Sequence, residues 1–262
     1  MRRLRVVGIV TAVALVPLLA PTVLVVVASL SRGELLTFPP QGLTLHWYID
    51  MFGSDEVWTA LGNSLYVAGL SVLINVVCGV PAALALPRVG RYGRTLFTVL
   101  LSLGLSSPTI VTAFAYFDLY SRMGFRDSLT AVSIAVAVTC FPFMLWTVLA
   151  AVEDSDPNLV PAAATLGADP VEQFLFVRLP LLAPGIVTGA LVVFVLSITD
   201  FVVSQVLTTI DNQTLPVFVY SGLRGAISPA LGAVSTFFIA VVALAFAVVL
   251  RLGKVERFLF RT

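Results

Sequence analysis

The chain has 262 residues, 59% hydrophobic and only 11% charged, with a formal net charge of +1 and a mean hydropathy of +1.04. Soluble domains carry roughly 25% charged residues, so the composition excludes a soluble globular protein, and the near-neutral balance carries no signal for nucleic acid. Two cysteines and a lone histidine, His46, exclude a disulfide framework and a histidine-based metal cluster.

Six long stretches lack any charged residue: Val6 to Ser31, Val57 to Pro87, Thr95 to Phe117, Ser128 to Val152, Leu179 to Thr199 and Gly225 to Leu250. A helix needs about 20 apolar residues to cross a hydrocarbon core, whereas a membrane barrel shows alternating segments of about 10. The expectation is an all-α integral membrane protein, one domain over 1–262, with six transmembrane helices at about 6–30, 61–86, 96–118, 128–151, 181–208 and 229–251.

Arg2, Arg3 and Arg5 precede the first run, as in a signal peptide. The apolar part of a signal peptide spans only about 7–15 residues. This run continues through Leu30 without a small-residue cleavage site and reads as a retained first span, with Pro17 and Pro21 as kink positions. The following external segment holds Leu43-Thr44-Leu45-His46-Trp47-Tyr48, then Phe52 and Trp58, and predicts an interfacial helix anchored by aromatic rings. His46 has the same anchoring role. Cys78 and Cys140 fall inside the second and fourth spans as small apolar filler.

At the end of the third span, Asp118 and Arg122 stand four apart in the favourable order for a helical ion pair. Tyr116 and Tyr120 nearby are interface anchors, or ring faces for a passing cation. The segment 152–184 is the one large polar loop. Asp169-Pro170-Val171-Glu172 has the N-cap acid, first-turn proline and third-position glutamate of a capping box, so a helix begins there and runs towards Val177. Asp156-Pro157 offers a similar start upstream, with Gly167 placed to end that first loop helix in a left-handed conformation.

Asp200 lies deep in the fifth span, where a carboxylate costs about 2.5–3.5 kcal/mol on insertion scales and must face protein or water. Ser197, Asp200, Ser204 and Thr208 recur at helical spacing, which predicts one polar face towards a pathway. Contact with a substrate and simple acceptance of bonds from Ser197 or Ser204 both fit that pattern.

Basic residues accumulate on cytoplasmic segments. With the N-terminus inside, eleven fall on the cytoplasmic side, including Arg88, Arg91, Arg94, Arg178 and the tail from Arg251 to Arg261, against four outside: Arg32, Arg122, Arg126 and Arg224. Both termini are then cytoplasmic. A phosphate-binding loop needs G-x-x-x-x-G-K-[ST], but Lys254 is followed by Val255 and Glu256. No cofactor is expected in this chain, and no catalytic constellation points to an enzyme.

The run Ala162-Ala163-Ala164-Thr165-Leu166-Gly167-Ala168, followed by Arg178-Leu179-Pro180 and Pro184-Gly185, resembles the EAA loop of ABC-importer permeases. Further blocks extend the likeness: Leu45 to Tyr48 with Asn63-Ser64-Leu65; Ser197 to Ser204; Leu215-Pro216 to Tyr220-Ser221, continuing through Arg224 to Ser228-Pro229. Over most of its length the chain is similar to the second permease of spermidine/putrescine-type importers. The resemblance implies a type I importer permease fold in a bacterial cytoplasmic (inner) membrane, and a loop that docks into the ATPase subunit through Pro161, Ala162, Ala163, Gly167, Ala168, Asp169, Leu179 and Pro180. It further implies two ATPase copies binding ATP and Mg, a second homologous permease, and an extracytoplasmic substrate-binding protein. The implied cargo is a polyamine or similar small organic cation, met by Ser197, Asp200, Ser204, Thr208 and Tyr116; ferric iron, phosphonate and sugar importers share the loop.

Two positions depart from the family pattern. Pro161 stands where relatives carry the glutamate of the loop. Counted from an N-cap at Asp156 it would be the fifth helical residue, at a cost of about 3 kcal/mol, so the first loop helix is expected to begin near Pro161 or to kink there. Thr199 replaces the first of a pair of aspartates, leaving Asp200 alone. Two rival classes remain: an ion-coupled transporter using Asp200, whose paired inverted repeats the sequence does not display, and a membrane scaffold with no pathway.

Overall fold

A computed structural model describes residues 16–33 apart from Leu18, then Pro40, 42–225 and 228–259, the last eleven through their backbone alone. Residues 6–15 of the expected first span, and Arg2, Arg3, Arg5 and Arg261, lie outside the described residues. Within them the chain is helical, and its helices are α1 (Leu19–Ala28), α2 (His46–Phe52), α3 (Asp55–Ala85), α4 (Arg91–Ser106), α5 (Thr109–Met123), α6 (Leu129–Asp154), α7 (Leu159–Thr165), α8 (Pro170–Ile198), α9 (Val202–Leu207), α10 (Leu215–Gly225) and α11 (Pro229–Leu259).

Four of these, α3, α6, α8 and α11, are long and apolar enough to cross a membrane. The expected third span is a pair of helices instead. α4 and α5 meet at Ser107-Pro108 with a bend of 100°, because a proline removes a backbone donor and forces the preceding residue out of the helical region. Ser107 accordingly sits at φ −70°, ψ 137°. The expected fifth span also ends early, at Ile198, and the chain turns through Thr199, Asp200 and Phe201 before α9.

The described chain divides into two compact units, 1–59 with 217–241 and 60–216 with 242–262. In the first, α2 is a short helix at the position of the aromatic run. Trp47 Nε1 donates to the Ser31 carbonyl at 2.8 Å, and Phe52, Trp58 and Phe237 form a ring cluster with centroids 5.5–6.1 Å apart. His46 pairs locally with Asp50 at 3.0 Å.

The second unit is built on α6 and α8, its most extensive helix pair. Lipid tails are as apolar as leucine, so helices associate in a bilayer through close contact and polar bonds rather than through exclusion of water. Both are present. Gly185 and Gly189 form a G-x-x-x-G pair on α8, and a Cβ added at Gly185 would lie 2.6 Å from Ala151 Cβ and 2.8 Å from the Thr147 carbonyl of α6. Between α3 and α6, Ser71 Oγ donates to the Ser133 carbonyl at 2.9 Å and Asn75 Nδ2 to the Ala137 carbonyl at 3.0 Å.

Candidate functional site

Two places in the second unit concentrate the residues singled out by the sequence. The first is the loop after α6. Asp156 Oδ1 accepts from the backbone N–H and the side-chain Nδ2 of Asn158, at 2.9 and 3.0 Å, and Asn158 is the N-cap of α7. Pro161 is therefore the third residue of α7 rather than the fifth. Amide groups of a first turn have no intrahelical acceptor, so Pro161 breaks no bond there.

α7 stops as a left-handed cap requires. Gly167 has φ +91°, the Gly167 N–H donates to the Ala164 carbonyl at 3.0 Å and the Ala168 N–H to the Ala163 carbonyl at 3.1 Å, which together make a Schellman motif. The next residue starts α8: Asp169 Oδ1 accepts from the N–H groups of Val171 (2.8 Å) and Glu172 (2.9 Å), while Glu172 Oε2 accepts from the Asp169 N–H at 3.0 Å. The capping box is complete. α8 does not end near Val177; it passes through a turn of π-helix, Gln173–Arg178, and continues into the span, so Leu179 and Pro180 are interior to one continuous helix.

The loop presents bulky apolar side chains outward. Leu166 is 89% exposed, Phe176 75% and Val171 63%, alongside exposed Ala162, Gly167 and Asp169 and half-buried Ala163 and Ala168. The sequence reading named the small residues; that Leu166, Val171 and Phe176 face outward is visible only in the turn geometry.

The second place lies where α5, α6, the end of α8 and α9 converge. Ser197, on α8 and 3% exposed, has its Oγ 3.8 Å from Cys140 Sγ on α6. Asp200 follows in the break between α8 and α9. On α5, Tyr116 stacks on Tyr120 with ring centroids 6.1 Å apart. Tyr116, Thr139, Thr112 and Ser107 line a cavity of about 290 Å³ beside the α4–α5 bend. The structure thus sets Ser197 against Cys140 and places Tyr116 and Thr139 on one cavity, Cys140 and Thr139 being residues the sequence had left as background.

The expected single polar face is corrected here. Because α8 ends at Ile198, Ser197 and Asp200 do not share a helix with Ser204 and Thr208. The polar side chains themselves compete for the backbone at this point: Thr199 Oγ1 bonds back to the Val195 carbonyl at 2.7 Å, and Asp200 Oδ2 receives both donors of Ser204. Thr208 only closes α9, its hydroxyl on the Ser204 carbonyl at 2.7 Å. Asp118 and Arg122 form the expected pair, at 2.9 Å, away from this cluster.

Comparison with known proteins agrees with this architecture. The family model described as binding-protein-dependent transport system inner membrane component matches residues 75–255. The putrescine transport system permease protein PotI of Escherichia coli (strain K12) is 27% identical over 233 residues, covering 86% of this chain and 82% of that protein. The spermidine/putrescine transport system permease protein PotC of the same strain is 29% identical over 196 residues, 75% of this chain and 74% of that one. Among solved structures, a bacterial alginate ABC transporter in complex with an alginate pentasaccharide-bound periplasmic protein aligns with a TM-score of 0.69 at 17% identity, covering 99% of this chain and 96% of that one.

Proposed function

This chain belongs to the family of binding-protein-dependent transport system inner membrane components and is the permease subunit of an ABC importer; we propose that its cargo is a polyamine or a similar small organic cation. In this family the permease carries cargo across the membrane and ATP is handled by a separate ATPase subunit, so the chain is a transport subunit rather than an enzyme. The observation that carries the cargo reading is a lone carboxylate, Asp200, set in the break after α8 where its backbone N–H meets the Ser197 carbonyl, with the stacked Tyr116 and Tyr120 on α5, the helix against which α9 packs. A carboxylate attracts an ammonium, and tyrosine faces accept one. The named cargo of the two permease relatives agrees with that chemistry.

The assembly has two permeases around a central pathway, two ATPase copies binding ATP and Mg, and an extracytoplasmic binding protein, with both termini of this chain cytoplasmic. The alginate transporter with its periplasmic protein supports a delivering partner of that kind. The α7–α8 loop docks on the ATPase through Ala162, Gly167 and Asp169 together with Leu166, Val171 and Phe176. Closure of the ATPase pair moves the loop, and because α8 is continuous from the capping box to Ile198, the same rigid element carries that movement to Ser197 and the Asp200 break.

The test is uptake of labelled putrescine by the complete complex in proteoliposomes, with its binding protein and internal ATP. Concentrative uptake is expected. Transport of an oxyanion or a neutral sugar in its place would replace the cargo and leave the importer standing.

A further inference from the structure

We infer that the cleft between the ends of α3 and α6, the start of α7 and the Arg178–Leu182 stretch of α8 is a site for the phosphate headgroup of an anionic phospholipid. The cleft encloses about 330 Å³ and is lined by two guanidinium groups, Arg88 and Arg178. Arg88 closes the helical segment Asp55–Arg88, and Arg178 ends the π-helical turn from which α8 runs into its apolar length. Both cations therefore stand where spanning segments leave the hydrocarbon, the depth at which lipid phosphates lie. Among the described residues neither takes part in an ion pair.

The remaining lining is that of a lipid site. Leu84, Val152, Leu181 and Leu182 form an apolar wall against which an acyl chain can lie. Asp156 is the one acid on the lining, and its Oδ1 already accepts two bonds from Asn158. Two cations against one acid leave the cleft positive. A neighbouring hollow carries Arg91 and Arg94, of which Arg94 is paired with Glu153, so Arg91 adds to the positive field. Free phosphate would meet the same arginines, but it has no use for the apolar wall. Basic pockets at the ends of membrane helices bind anionic headgroups in this way, with each basic residue near the surface contributing a few-fold in affinity.

The proposal stands apart from the cargo reading, and either can fail alone. The purified full chain in detergent is heated with short-chain phosphatidylglycerol, with phosphatidylcholine of the same chain length, or with inorganic phosphate. Phosphatidylglycerol is expected to raise Tm saturably and phosphatidylcholine not at all, with inorganic phosphate needing at least about tenfold higher concentration because it lacks the acyl contact. Arg88→Gln and Arg178→Gln should each weaken the response about fivefold, and Asp156→Asn should strengthen it. Arg122→Gln, which removes a charge elsewhere, should respond as the parent does. Where the arginine variants do not fold, Pro161→Glu puts a carboxylate on the cleft lining and should weaken the response as well. Equal effects of the two lipids, equal potency of inorganic phosphate, loss of the response in Arg122→Gln, or an undiminished response in Pro161→Glu would each overturn the site. Competition by an acidic peptide with no lipid response would assign the cleft to a protein partner instead.

Discussion

Ser204 gives both its backbone N–H and its hydroxyl to the same oxygen of Asp200, each at 2.9 Å. The carboxylate thereby fixes the start of α9 across the break in the chain, the way a capping acid satisfies the free donors of a first turn. Capping does not discharge it. A local structural role and an electrostatic role for Asp200 are compatible, and they separate by mutation.

Asp200→Asn keeps an oxygen for Ser204 and removes the charge. A unit charge pair at 4 Å is worth about 4 kcal/mol at an effective dielectric near 20, before desolvation is subtracted. Uptake of labelled putrescine should fall by about tenfold or more, with complex assembly and basal ATPase activity retained. Ser204→Ala is the converse change. It removes one bond worth about 1 kcal/mol and should lower thermal stability while uptake persists. Equal uptake by Asp200→Asn and the parent would make Asp200 a cap alone.

Gly185 tests what holds the second unit together. A methyl added there would press on Ala151 Cβ at 2.6 Å and on the Thr147 carbonyl at 2.8 Å, and the second of these is backbone that cannot swing aside. Gly185→Ala is expected to cost about 1–3 kcal/mol and Gly185→Leu to prevent accumulation of folded protein. Gly62→Ala, with nothing within 4 Å of its added Cβ, is the control. The measurement is the thermal midpoint of detergent-solubilised chain.

Hydropathy and capping signals are local, and they were legible. The apolar runs located α3, α6, α8 and α11, and Asp169 to Glu172 announced a capping box that the structure contains atom for atom. The bend at Pro108 and the end of α8 at Ile198 were not legible from hydropathy, because broken and continuous helices are equally apolar. Proline after two serines and the polar run from Ser197 to Asp200 were the available signs. The G-x-x-x-G spacing of Gly185 and Gly189 was also open to reading. The convergence of Tyr116, Thr139, Cys140 and Ser197 depends on long-range helix contacts that no local pattern encodes.

Pro161 offers a quantitative check on the loop. As the third residue of α7 it lacks an amide that would have found no helical acceptor anyway. Pro161→Glu should therefore shift stability by only about 0.5 kcal/mol or less, not by the roughly 3 kcal/mol recovered when an interior proline is removed. Assembly with the ATPase should be unchanged or stronger. A large gain in Tm would mean that α7 begins upstream of Leu159.

Gly167 and Leu166 separate the shape of the loop from its contact surface. Gly167 is left-handed at φ +91°, and nothing lies within 4 Å of an added Cβ, so a side chain there is opposed by backbone strain of about 1–2 kcal/mol and, in the assembled importer, by the partner. Gly167→Asn tolerates the conformation and should keep most of the stability, while Gly167→Leu combines strain with bulk and should abolish ATPase stimulation by the loaded binding protein. Leu166, 89% exposed, makes few contacts within the chain. Leu166→Asp should leave the stability of the isolated permease within about 0.5 kcal/mol of the parent but weaken co-purification of the ATPase, because it puts a charge at a surface that has to be desolvated on docking. Full stimulation in Gly167→Leu together with undiminished ATPase capture by Leu166→Asp would place the docking surface elsewhere on the chain.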